Sequence, residues 1–310
     1  MSDIFFKSLK IKKPDYNLKI GSGKHGEMTG KIMTEFEKVV EKEKPDLILV
    51  YGDTNTTLAG ALVAAKSKIK LAHVEAGLRM FPKTMPEEIN RVLTDRISDY
   101  LFCPTKECVN NLKKEGITKN VFFTGDVMYD LFLHTKKNFT FDTYKKLKLT
   151  ENDFVILTLH RDYNVDDKKR LMVIVKELYK ISKKIKIIFP IHPRTQKRVN
   201  EFKLNQYFEN IICIEPLDYP ELMGLVLKSW KIITDSGGLQ KESYFAGKHS
   251  VVIMYDAGWR ELTDSKYNIL STPEDLYQNV YKKNPPCVNS GIFGYGDAGK
   301  KIVRIIKEVK

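Results

Sequence analysis

The sequence predicts an α/β protein made of two doubly wound parallel-sheet domains with a ligand cleft between them. Three observations carry this. Short apolar strand candidates alternate with helical segments, the alternation recurs in both halves, and a polar, Lys-rich stretch from Lys136 to Asp153 separates the two runs. At 310 residues the chain is long enough for two domains of typical size. The expected division is residues 1–140, residues 141–290, and a terminal helix over 291–310 that crosses back to the first domain.

The first helical period runs over Gly26–Glu43, with apolar Met28, Ile32, Phe36, Val39 and Val40, and stops at Lys44-Pro45. Leu47–Tyr51 then reads as a strand ending at Gly52-Asp53-Thr54-Asn55. Leu58–Lys66 is Ala/Leu-rich and helical, and Lys70–Val74 is a second strand ending at Glu75-Ala76-Gly77. Strand, helix, strand makes a parallel crossover unit. A Pro-containing loop, Met80–Pro86, leads to a helix from Glu87 to about Ser98, with Pro86 suited to its start. Strands at Tyr100–Cys103 and Val121–Thr124 enclose a helix over Lys106–Glu115. After the Lys-rich stretch, expected as the inter-domain linker, strands follow at Phe154–Leu159, Ile185–Pro190, Ile211–Ile214, Lys231–Thr234 and Ser250–Met254. Residues 1–25 contain no apolar strand followed by a tight loop and helix, so the first domain is expected to lack its opening unit.

Composition narrows the function classes. The formal charge is +13, but only nine of the 52 basic residues are Arg, and the lysines are scattered without interleaved aromatics. Phosphate and base recognition favours the planar Arg fork, so no nucleic-acid partner is expected. No apolar run approaches a membrane span, and no signal-peptide core precedes residue 20. Cys103, Cys108, Cys213 and Cys287 have neither paired nor metal-ligand spacing. Reduced thiols, a cytoplasmic location and no metal are the expectation.

Ligands of parallel sheets bind outside the carboxyl ends of the strands. Asp53 and Glu75 both fall there, and two carboxylates at that edge suggest proton chemistry. Asp53 could instead be only the N-cap of the next helix. Glu87 opens a helix, where the helix dipole already accounts for an acid, yet the Pro loop delivers it from the Glu75 strand end. Arg91, one turn on, could orient Glu87 or bind substrate. In the second half, Thr234-Asp235-Ser236-Gly237-Gly238 joins a strand to the helical stretch Leu239–Ala246, a junction that suits a diphosphate. Glu242 could accept bonds from ribose hydroxyls. His160-Arg161 ends the first strand of this half ahead of a turn-like Asp162–Asp167, and would favour an anionic substrate. His192-Pro193 ends the next strand similarly.

Taken together these blocks resemble the non-hydrolysing UDP-N-acetylglucosamine 2-epimerases. The segments that carry the resemblance are Gly21–Met33, Gly52–Leu62, His73–Arg79, Met85–Arg91, Cys103–Thr105, Thr124–Asp130, Leu157–Arg161, Ile191–Pro193, Glu215–Tyr219 and Thr234–Ser243. The resemblance implies a glycosyltransferase-B-like architecture, a homodimer and no cofactor. It also implies inversion of C2 in a UDP-linked 2-acetamido sugar, by anti elimination of UDP and re-addition. On matching positions Asp53, Glu75 and Glu87 look like the acid/base carboxylates, and His160 like the histidine near the diphosphate. Ser236, Gly237 and Glu242 look like the UDP-binding residues, and the Ser236–Gly238 loop is expected to hold the diphosphate.

Some segments depart from the family pattern. The opening Gly-Thr-Arg-Pro-Glu loop is absent, which implies that these residues alone are inactive or severely impaired. Asp256–Leu262 replaces the usual Thr-Glu-Arg-Pro-Glu, and its Trp259 is closer to the subfamily acting on UDP-2,3-diacetamido-2,3-dideoxyglucuronic acid. In that subfamily's chemistry Arg260 is expected either to offer a cation to a sugar carboxylate or to stand as an exposed structural Arg. Asp162-Tyr163-Asn164, Lys241 and the altered Tyr295–Gly299 also depart from the pattern. Two other classes share the pocket: a glycosyltransferase, which would show transfer and no C2 exchange, and a non-catalytic UDP-sugar-binding protein.

Overall fold

The computed structural model describes residues 12–21, 23–80, 85–286 and 290–308. The sequence readings at Cys287, at most of Met80–Pro86 and at the first eleven residues therefore lie outside the described residues. Two compact units emerge: Lys13–Leu131 together with Gly291–Lys310, and Phe132–Ser290.

In the first unit, strands β1 (Leu47–Tyr51), β2 (Lys70–Val74), β3 (Tyr100–Cys103) and β4 (Val121–Phe123) form a parallel sheet in the order β1-β2-β3-β4. Helix Asn55–Lys66 is locked at its start by a reciprocal capping box between Thr54 and Thr57. Small residues let it approach the sheet: a Cβ on Gly60 would come within 3.2 Å of Val50 Cγ1. On one side Val40, Ile48, Val50, Val63 and Leu71 pack together. The other core joins Ala72, Val74, Tyr100 and Phe102 to Ile302 of the terminal helix Ala298–Glu308.

That terminal segment is bonded into the unit by motif residues. Asp126 N–H donates to Phe293 O at 3.0 Å, and a Cβ on Gly125 (φ +88°) would press on the same carbonyl at 2.9 Å. The Asp130 carboxylate accepts the N–H groups of Ala298 (3.1 Å) and Gly299 (2.8 Å), satisfying donors that a helix start leaves open.

The second unit holds β5 (Phe154–Thr158), β6 (Lys186–Pro190), β7 (Ile211–Ile214), β8 (Lys231–Thr234), β9 (His249–Val252) and β10 (Asn268–Leu270). All pair in parallel, in the order β10-β9-β8-β5-β6-β7. Its core is built on Val155, Leu157, Ile187, Phe189, Ile233 and Val251 against Leu171, Ile174, Val175 and Leu178 of helix Lys168–Ser182.

Three local features differ from the sequence reading. Strand β10 escaped it because three residues starting with Asn carry no periodicity. Asp162–Val165 is a single helical turn rather than an open turn. The Lys-rich stretch is no free linker, because it carries the 3-10 turn Lys136–Asn138 and the short helix Asp142–Lys146. It is tied down by Thr140 N–H to Pro220 O (3.3 Å) and Thr143 N–H to Glu221 Oε1 (2.8 Å). A polar composition hides such bonds, since they join residues far apart in sequence.

Candidate active site

The strand order of the second unit reverses at one place. From β5 the chain steps outward through β6 and β7, and from β8 it steps the other way through β9 and β10. Loops leaving β5 and β8 therefore diverge and open a crevice at the carboxyl ends of these two strands, where parallel sheets take ligands. His160-Arg161 follows β5, and Asp235–Gly238 follows β8.

Asp235 organises that crevice. Fully buried, its carboxylate accepts the N–H of His160 (3.1 and 3.0 Å), the N–H of Arg161 (2.9 Å) and the amide of Asn164 (3.1 Å). It also lies 3.2 Å from His160 Nδ1, which leaves Nε2 for a ligand. Burial lowers the His160 pKa below its ordinary 6.5, Asp235 works against this, and Arg161 and His192 add to the lowering.

Ser236 is the N-cap of helix Gly237–Phe245, with its Oγ accepting Leu239 N–H at 3.3 Å. A Cβ on Gly237 would meet no atom within 4 Å. Packing therefore does not demand glycine there, and the open approach leaves the helix-start N–H groups accessible to an anion. Glu242 lies deeper on this helix and is largely buried. It faces Tyr219, whose phenol is driven far up by burial and then by the Glu242 charge. The Trp259 indole N–H donates to Gly237 O at 3.1 Å, and its ring lies 4.2 Å from the buried Lys241 ammonium. Trp259 and Lys241, two of the departures from the family pattern, thus meet directly behind the glycine turn.

In the first unit, Asp53 follows β1 and Glu75 follows β2, on neighbouring strands. The cap alternative for Asp53 fails, because Thr54 caps the helix. The Asp53 carboxylate instead pairs with Arg91, and Asn90 donates to its carbonyl at 2.9 Å. Glu75 adopts φ +73°, the left-handed region that costs a non-glycine residue energy. Its N–H and that of Ala76 both reach Phe102 O at 3.1 Å, so the chain turns sharply and sets Glu75 at the strand end.

Glu87 and Glu88 open helix Pro86–Ile97 with different fates. Glu88 is buried and accepts from Met80 N–H (3.0 Å) and Arg91 (2.5 Å), whereas Glu87 is half-buried and has no ion pair among the described residues. Arg91 therefore serves Glu88 and Asp53 rather than Glu87. Burial opposes its charge, but the Asp53 and Glu88 carboxylates outweigh that and raise its pKa.

Two other predicted residues have local duties. His192 caps helix Pro193–Glu201, its Nδ1 accepting Arg194 N–H at 3.2 Å. Arg260 faces Asp256 at 3.3 Å. Sequence reasoning missed Asp235 as the organiser, although it stands inside the glycine-turn motif. It also missed the buried set His73, Arg79 and Asp95, whose only signal is polar residues at core positions.

The family profile described as UDP-N-acetylglucosamine 2-epimerase matches residues 1–307. The UDP-N-acetylglucosamine 2-epimerase of Methanococcus maripaludis is 46% identical over 99% of this chain and 87% of its own. The UDP-2,3-diacetamido-2,3-dideoxy-D-glucuronate 2-epimerase of Pseudomonas aeruginosa is 45% identical over 87% of this chain and 76% of its own. Among solved structures, the Methanocaldococcus jannaschii UDP-GlcNAc 2-epimerase in complex with UDP-GlcNAc and UDP superposes with a TM-score of 0.90. It is 44% identical, with 99% of this chain and 88% of that chain covered.

Proposed function

The chain belongs to the UDP-N-acetylglucosamine 2-epimerase family, and from that premise we propose that it interconverts UDP-N-acetylglucosamine and UDP-N-acetylmannosamine without a cofactor. In this reading a carboxylate of the first unit takes the C2 proton. The C2–H electron pair forms the C1–C2 double bond, the C1–O bond breaks, and UDP leaves with the C1–O bonding pair. Re-addition of UDP at C1 with a proton delivered to the opposite face of C2 completes the inversion. Asp53, Glu75 and Glu87 handle the protons. His160, Arg161 and the Ser236–Gly238 turn hold the diphosphate, Glu242 serves the ribose, and Arg91 holds the Asp53 carboxylate in place.

The observation that carries the proposal is the pair of carboxylates at the carboxyl ends of neighbouring strands β1 and β2, with Thr54 relieving Asp53 of the capping role. General acid and base groups are recognised by such placement. Incubation with UDP-N-acetylglucosamine in heavy water tests it: deuterium at C2 of recovered nucleotide sugar is expected, and its absence with this substrate sinks the reading.

The diacetamido-uronate is the second substrate reading, favoured by the Pseudomonas aeruginosa relative and by Trp259. The Arg260 guanidinium already faces Asp256, which weighs against its service to a sugar carboxylate. Competition between the two substrates in the same exchange assay ranks them. The proposal extends to a homodimer working in the cytoplasm. No disulfide joins the described cysteines Cys103, Cys108 and Cys213, and no helix among the described residues is long and apolar enough to cross a membrane. Light scattering on the purified chain reads the oligomeric state.

A further inference from the structure

We propose that His73 and Asp95 form a buried strut that fixes the three carboxylate-bearing segments of the first unit relative to one another, making both positioning residues for proton transfer. The inference rests on the proton-handling roles assigned above to Asp53, Glu75 and Glu87.

The strut is continuous. His73, inside β2, has no solvent exposure, and its Nε2 donates to Gly52 O at 2.8 Å, one residue before Asp53. Its Nδ1 lies 2.7 Å from Asp95 Oδ1. Asp95 Oδ2 in turn accepts Gly77 N–H at 3.0 Å, two residues beyond Glu75, and Arg79 Nη1 at 2.6 Å. Asp95 also stands on helix Pro86–Ile97, the helix that begins with Glu87. One carboxylate thus reaches the Glu75 loop directly, the Asp53 loop through an imidazole, and Glu87 through its own helix.

Chemistry makes the strut stiff. Both ring nitrogens of His73 face oxygen acceptors, so the ring fills both contacts when it carries both protons. Burial works against ionised Asp95, but the hydrogen bond and charge of His73, with those of Arg79, lower its pKa. Arg79 is held from the far side by Glu115 through Nε (2.6 Å) and Nη2 (2.8 Å). Charge-assisted bonds in a dry interior are stronger and shorter than neutral ones. Arg91 and Asn90 grip Asp53 from the same helix, so the side chain and the backbone of this residue are secured separately.

Among the described residues Asp95 makes no hydrogen bond or ion pair to the Gly52–Asn55 loop, which makes the test clean. In Asp95→Asn, backbone amide hydrogen exchange over Gly52–Asn55 is expected to speed up about tenfold, transmitted through His73, with β4 and the second unit unchanged. UDP affinity stays within about twofold. The rate of C2 deuterium incorporation falls about tenfold or more at unchanged KM, since a misplaced base loses rate rather than binding. His73→Phe, which keeps the volume and removes the donor, is expected to do the same. His73→Gln, whose amide can donate to Gly52 O, restores part of the rate.

If either folded variant leaves exchange over Gly52–Asn55 at the parent rate, the strut is overturned. If Asp95→Asn does not fold, His73→Phe decides by the same readout. A parent that incorporates no deuterium at C2 overturns the epimerase reading, whereas the strut is still decided by amide exchange.

Discussion

The two units reach a ligand-facing strand edge by different means. The second unit reverses its strand order between β5 and β8, so the topology itself opens a crevice, and one buried carboxylate, Asp235, gathers the two loops that line it. In the first unit the described strands run in sequence order, β1-β2-β3-β4, and no reversal opens a crevice among them. The chemistry proposed for it rests on side chains of successive loops, and behind them lies a chain of buried ion pairs, His73–Asp95–Arg79, to which we assign the rigidity that topology does not supply. A site for an anion can rest on backbone N–H groups, whereas proton transfer needs carboxylates placed to within a fraction of an ångström.

The largest effects should separate the two units by function. Asp53→Asn and Glu75→Gln are each expected to slow C2 proton exchange by roughly 10²- to 10⁴-fold, the usual reach of general acid–base catalysis. Both should leave UDP affinity within about twofold by calorimetry. Loss of UDP binding in either variant would break the division of labour.

Asp235→Ala should strike the second unit's frame. It strands the N–H groups of His160 and Arg161, and unsatisfied buried donors cost about 1–3 kcal/mol each. Chemical denaturation should show a loss of about 3 kcal/mol, with UDP affinity falling in parallel. An unchanged unfolding midpoint would show that the crevice does not depend on this carboxylate.

Two glycines sharpen the contrast. Gly77 has φ +81°, and a Cβ there would overlap the Cys108 carbonyl, so Gly77→Ala is expected to cost about 1–3 kcal/mol of stability. Gly237 has open space around it, so Gly237→Ala should leave stability equal or up to about 1 kcal/mol higher, as alanine favours a helix. Its penalty should appear as weaker UDP binding instead. Equal stability losses at the two positions would erase the distinction.

The smallest effect is a pH slope. Folding lowers the His160 pKa below its ordinary 6.5, so below that value the unfolded chain binds more protons than the folded one. Stability from this group is complete above about pH 7 and is lost as pH falls through 6.5 towards the folded-state value. Partial exposure of His160 keeps the slope shallow. His160→Gln should flatten it in melting curves between pH 7.5 and 5, values chosen to span about one unit on either side of the titration; an identical slope would place its origin elsewhere.

Much of this was legible in the sequence. Strands such as Leu47–Tyr51 and Lys231–Thr234 are apolar, β-branched runs ending in polar or glycine residues, and their boundaries agree with the structure. The same runs placed Asp53, Glu75, His160 and Ser236 at strand ends. Side-chain choices were less legible. Asp53 and Thr54 are both able to cap, and only the backbone geometry selects Thr54. Arg91 can reach Glu87 or Glu88 from one helix, and burial beside Asp53 and Glu88 decides it.

The sequence by itself determined the alternating strand and helix order, the residues carried to the strand ends and the family, because these follow from local periodicity and contiguous motifs. Only the tertiary structure decided that Asp235 joins His160 from 75 positions away and that Asp95 reaches Gly52 through His73. Buried polar groups must find partners, and which partners they find depends on the distances that folding creates.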